Sequence, residues 1–204
     1  MVTGCTGPFK NMQDFWLYFQ LGKEHIADLK GYDHILFVLA LCLRYSPQDW
    51  KKILVLVTAF TVGHSITLAL STLNVVDIPS NWIEFLIPVT IVITALSNLS
   101  VKKFEFKRKF PVIYFFALFF GLIHGLGFST YLKSLLGKHD NLVADLFAFN
   151  VGLEIGQLMI VATVLILAFI VLQVFSVERR TYILFASGGV FGIAFLMMLE
   201  RLPF

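Results

Sequence analysis

The chain has 204 residues, 58% of them hydrophobic and only 14% charged, with a formal net charge of +3 and a mean hydropathy of +0.83. Those proportions exclude an ordinary soluble domain and make the lipid bilayer the natural solvent; no nucleic-acid partner is expected. Two cysteines, Cys5 and Cys42, cannot build a disulfide framework or a Cys-x-x-Cys metal site. No basic segment followed by an apolar one comes after Met1, so no cleavable signal peptide is expected.

Taken in order, residues 1–30 read as an amino-terminal tail with an interfacial or re-entrant helix. Phe15-Trp16-Leu17-Tyr18-Phe19 is followed there by Lys23, Glu24, His25 and Asp28, a mixture that suits a membrane surface better than its interior. Charged clusters divide the remainder into six apolar runs, about 31–45, 50–74, 80–100, 109–131, 142–174 and 181–200. A spanning helix needs roughly 20 apolar residues, and backbone groups in lipid must be satisfied within the segment. The expected fold is therefore all-α: a single transmembrane domain over 1–204, a polytopic helix bundle of about six spans. Arg44, Lys51, Lys52, Lys102, Lys103, Lys107, Arg108, Lys109, Arg179 and Arg180 follow spans one, three and five. Only Lys10, Lys23, Lys30, Lys133, Lys138 and Arg201 lie on the other side. The positive-inside rule then puts this chain in the inner or plasma membrane with both termini outside.

The spans carry polar residues that lipid penalises by about 2.5–3.5 kcal/mol each when charged. Span one opens Gly31-Tyr32-Asp33-His34, and span two holds Thr61-Val62-Gly63-His64-Ser65. Span four holds Gly121-Leu122-Ile123-His124-Gly125, and span five holds Asn150-Val151-Gly152-Leu153-Glu154 and Gln157. With a rise of about 1.5 Å per residue, His64, His124 and Asn150 all fall roughly 13–15 Å below the outer surface. Glu154 is one turn deeper on the face of Asn150, and His34 lies ten residues from Arg44. Asp33, His34, His64, His124, Asn150 and Glu154 are the expected metal site, with Asp33 also suited to orienting His34. Ser65, Thr61 and Gln157 are expected around it. Imidazole with carboxylate or amide oxygen suits a divalent ion such as Ni, Co, Zn or Fe. His25 and His139 are read as exposed, or as entry ligands.

Span one is too short to cross alone and the run 142–174 is too long, the pattern of broken helices around a transporter's central site. Gly31-x-x-His34 recurs as Gly121-x-x-His124, and Phe60-Thr-Val-Gly-His-Ser-Ile66 as Phe149-Asn-Val-Gly-Leu-Glu-Ile155, at offsets of 90 and 89. Two matches at nearly one offset point to a 3+3 inverted repeat.

With these residues in hand, the chain resembles the HupE/UreJ family of hydrogenase- and urease-accessory membrane proteins. The likeness rests on Gly31-Tyr-Asp-His-Ile-Leu-Phe37, Phe60-Thr-Val-Gly-His-Ser-Ile-Thr-Leu68, Gly121-Leu-Ile-His-Gly-Leu-Gly-Phe128 and Phe149-Asn-Val-Gly-Leu-Glu-Ile-Gly-Gln157. It implies a six-helix permease for nickel or cobalt serving metalloenzyme maturation proteins. Hydrogenase-type members have His-Pro ahead of Gly-x-Asp-His, where this chain has Ala27-Asp28, and that departure bears on which metal is taken. The alternative is an intramembrane zinc-type hydrolase acting on a lipid or peptide, its three histidines holding the ion and Glu154 or Asp33 acting as base. No nucleotide-binding motif is present, so transport by this chain is not expected to be ATP-driven.

Overall fold

The computed structural model describes residues 8–29, 31–100, 113–136 and 142–204, with side chains at all of these except 8–11, 47 and 129–136. Cys5, His139 and the basic run from Lys102 to Lys109 lie outside the described residues. Seven α-helices follow one another: α1 (Pro8–Ile26), α2 (Asp33–Cys42), α3 (Trp50–Thr72), α4 (Ser80–Ser100), α5 (Ile113–Leu136), α6 (Leu142–Phe169) and α7 (Arg179–Glu200). A π-helical stretch, Ile170–Val174, extends α6, and the described residues include no strand.

Each expected apolar run overlaps one of these helices, although α5 continues past residue 131 to Leu136 and α7 begins at Arg179, ahead of residue 181. Among the described residues, four elements are long and apolar enough to cross a membrane: α3, α4, α6 with its π-helical extension, and α7. The ten residues of α2 rise about 15 Å, half of a bilayer core. Large apolar side chains such as Phe115, Phe119, Phe147, Ile166 and Phe185 stay exposed, as expected of a surface that meets lipid rather than water. Several hydroxyls within the helices are satisfied by the preceding turn. Ser65 donates to the Thr61 carbonyl at 2.7 Å and Thr94 to the Thr90 carbonyl at 2.8 Å, which spares them an unpaired polar group in an apolar medium. Before α3, Ser46 and Asp49 form a reciprocal capping box. Beyond its end, Asn74 takes φ 56°, a left-handed conformation that asparagine tolerates.

Two helix pairs make the closest packing. Between α3 and α5, a Cβ on Gly63 would strike the Leu118 carbonyl, and one on Gly121 the Phe60 carbonyl. Between α1 and α6, a Cβ on Gly22 would strike the Phe149 carbonyl, and one on Gly152 the Phe19 carbonyl. In both pairs each glycine meets the residue three before its partner glycine. Small residues let helix backbones approach in this way where lipid supplies no hydrophobic drive.

Along α6 the contacts advance with the chain, Gly152 meeting Phe19 and Gly156 meeting Lys23 and Ile26. Farther on, Cys42 and Leu43 line one cavity with Val164, Leu165 and Ala168. The first helix and the second therefore follow α6 in tandem, in its own direction, and the segment expected to be interfacial or re-entrant packs lengthwise against it. The interruption between Ile26 and Asp33 sits beside the middle of α6.

Candidate metal centre

The interruption brings two histidines together. His25, one residue from the end of α1, and His34, the second residue of α2, lie with ring centroids 4.7 Å apart. Gly63 and Gly121 draw α3 against α5, which delivers His64 and His124: the His34 ring is 6.4 Å from that of His64 and 5.0 Å from that of His124. His25, His34 and His64 offer ligand nitrogens within 4.8 Å of one another. A tetrahedral ion with nitrogens at 2.0–2.1 Å needs them roughly 3.4 Å apart, so these nitrogens would have to draw closer around an ion. His64 and His124 are fully buried.

The hydrogen bonds fix which nitrogen faces inward. Asp33 Oδ1 accepts the His34 backbone N–H at 2.9 Å and lies 3.1 Å from His34 Nδ1. The Nδ1 proton therefore points at the carboxylate, and Nε2 keeps its lone pair. Thr90 donates its one hydroxyl proton to the Ile87 carbonyl at 2.7 Å, so across the 3.2 Å contact with His124 Nε2 the threonine oxygen accepts. His124 Nδ1 then carries the lone pair. Among the described residues His25 Nε2, His34 Nε2, His124 Nδ1 and both nitrogens of His64 are buried with no hydrogen-bond partner. Each such group costs about 1–3 kcal/mol if nothing binds it. Phe37, Phe60, Phe128 and Phe149 pack against these imidazoles and keep their surroundings apolar. On one side the cluster opens to a cavity of about 1360 Å³ whose lining includes His34, His124, Asp28, Glu84 and Arg201.

Of the residues expected at the site, His34, His64, His124 and Asp33 come together. The oxygens of Asp33 face His34 and, at 3.2 Å, Arg201, so in this structure Asp33 holds the His34 imidazole. Glu154, Gln157 and Thr61 lie on the contact between α3 and α6: Thr58 donates to Glu154 Oε1 and Thr61 to Gln157 Oε1, both at 2.7 Å. Asn150 donates to the Leu146 carbonyl at 2.8 Å, and its Oδ1 is buried without a partner. Ser65 is turned to the Thr61 carbonyl. The residue that sequence reasoning undervalued is His25. Its signal was a third Gly-x-x-His, Gly22-Lys-Glu-His25, matching those at His34 and His124.

Residues 5–201 match the family model described as HupE / UreJ protein. The chain belongs to the HupE/UreJ family. Comparison with curated proteins and with solved structures finds no match. In this HupE/UreJ chain His25 stands two residues before Ala27-Asp28, inside the cluster.

Proposed function

We propose that this protein is a membrane permease for a divalent transition-metal ion, nickel or cobalt, which passes through a site made by His25, His34, His64 and His124. The observation that carries the reading is the convergence of buried, unpartnered imidazole nitrogens at a helix break. Neutral imidazoles without thiolate favour these ions over copper(I). Family membership supports nickel or cobalt as cargo; metalloenzyme maturation proteins are its proposed destination.

A polar route leads on from the cluster. On α3, Thr61 and Thr58 follow His64 at one-turn steps toward Trp50, carrying Gln157 and Glu154. We assign Glu154, Gln157, Thr61, Ser65 and Asn150 to this onward path, with Glu154 as a later station for the ion. Asp28, Glu84 and Arg201 mark the entry side of the cavity. That side is the outer one when both termini face outward in the cell membrane, and a reporter active only outside the cell, fused after Phe204, reads this orientation.

The glycine contacts also support a 3+3 inverted repeat, in a different register for its first element. Gly22-x-x-His25 of α1 corresponds to Gly121-x-x-His124 of α5, an offset of 99, while Gly63 of α3 corresponds to Gly152 of α6, an offset of 89. The difference of ten is the length of α2, an extra half-helix in the first half. The six spans are then α1 with α2 as one broken span, α3, α4, α5, α6 and α7, with the site at the interface of the halves.

The hydrolase alternative needs a free base beside the metal. Glu154 lies with Thr58 on the contact between α3 and α6, outside the group of close ligand nitrogens, and Asp33 is held by His34 and Arg201, which supports transport over hydrolysis. In proteoliposomes the unmodified protein should accumulate Ni²⁺ down a gradient, and Glu154→Gln should slow uptake about 10-fold or more while the histidines still bind metal, in line with a lost charged station in an apolar path. Absence of uptake under any gradient, with metal retained, would overturn the permease reading.

A further inference from the structure

Arg201 follows the last residue of α7, and its place is fixed from two sides. Its backbone N–H donates to the Met197 carbonyl at 3.1 Å. Two residues on, the Pro203 carbonyl accepts from Asn81 Nδ2 of α4 at 3.3 Å. The guanidinium so held puts Nη1 3.2 Å from Asp33 Oδ2, and Asp33 Oδ1 faces His34 Nδ1 at 3.1 Å. Guanidinium, carboxylate and imidazole thus form one chain that ends at the unpartnered His34 Nε2. Arg201, Asp33 and His34 all line the same cavity.

We propose that Arg201 is a resident cation that competes with the transported ion for the charge of Asp33, and so sets how readily the centre lets its metal go. The proposal rests on the permease reading above. A carboxylate buried as Asp33 is needs a compensating charge. While His34 carries no ion, Arg201 supplies that charge. An ion on His34 Nε2 adds two positive charges to a chain that Arg201 already neutralises. Metal and guanidinium therefore weaken each other's hold on Asp33, by the same factor in both directions. Without Arg201 the carboxylate is compensated only by the cargo, which binds more tightly and leaves more slowly. Arg201 acts through Asp33 and is a positioning and charge-balancing residue, not a ligand.

The test is Ni²⁺ titration of the purified protein beside Ni²⁺ uptake into proteoliposomes. Arg201→Gln should lower both Kd and KM by about fivefold or more and reduce the maximal uptake rate, while Arg201→Lys, which keeps the charge, stays near the unmodified protein. Asp33→Asn should bind Ni²⁺ more weakly, and Arg201→Gln added to it should change nothing further. That double variant leaves no unpaired charge, so it carries the test if Arg201→Gln alone does not fold. Unchanged or weaker binding in Arg201→Gln, or a shift when it is added to Asp33→Asn, would overturn the proposal and leave the permease reading standing. An unmodified protein that binds no Ni²⁺ would overturn both.

Discussion

Four imidazoles, at His25, His34, His64 and His124, meet inside an aromatic shell, and each keeps a ring nitrogen buried without a partner. A packing histidine would have both nitrogens satisfied or one in solvent. The sequence made three of these residues legible, because histidine inside an apolar run is costly and helix rise alone gives its depth. It did not make His25 legible, since Lys23, Glu24 and Asp28 around it read as a membrane surface. Depth was also too little to place Glu154 and Asn150. They share a level with the histidines, but helix rotation decides whom they meet, and α6 turns Phe149, Gly152 and Gly156 toward α1 while Glu154 meets Thr58. At this scale His25→Ala should lower Ni²⁺ affinity about 10-fold or more while the protein stays folded, as for the loss of one ligand or its supporting group. Affinity equal to the unmodified protein would remove His25 from the site.

The helices themselves were readable from apolar runs and charged breaks, and the bounds of α3, α4 and α7 fall within a few residues of expectation. What the runs could not convey is that α1 packs lengthwise on α6, because its polar residues hide the buried stripe of Tyr18, Gly22 and Ile26. Glycine function divides sharply by element. A Cβ on Gly63 or Gly121 meets backbone, which cannot rotate away, whereas Gly188, Gly189 and Gly192 on α7 have open space around them. Gly63→Ala should therefore destabilise by about 1–3 kcal/mol, the usual cost of overpacking, and displace His64. Gly188→Ala should be neutral or slightly stabilising, since alanine is the better helix former. Thermal unfolding in one detergent compares the two; equal melting shifts would contradict the close approach of α3 and α5.

At the scale of the whole molecule, a helix broken between Ile26 and Asp33, two glycine-packed pairs and a cavity with charged residues on its lining surround one histidine cluster. The shortness of the apolar run 31–45 pointed to this break, whereas the long run 142–174 is one continuous helix with a π-helical end. The sequence pairs Gly31-x-x-His34 with Gly121-x-x-His124, whereas the proposed repeat pairs Gly22-x-x-His25 with it, because the two motifs differ only in which half-helix carries them. The central claim is that a divalent metal ion binds among imidazoles from α1, α2, α3 and α5. X-ray absorption at the nickel edge of purified, nickel-loaded protein tests it most directly. The expected spectrum shows a first shell of nitrogen and oxygen with the outer-shell scattering of at least three imidazoles, lost in His64→Ala. A shell without imidazole scattering, or one unchanged in His64→Ala, would contradict it.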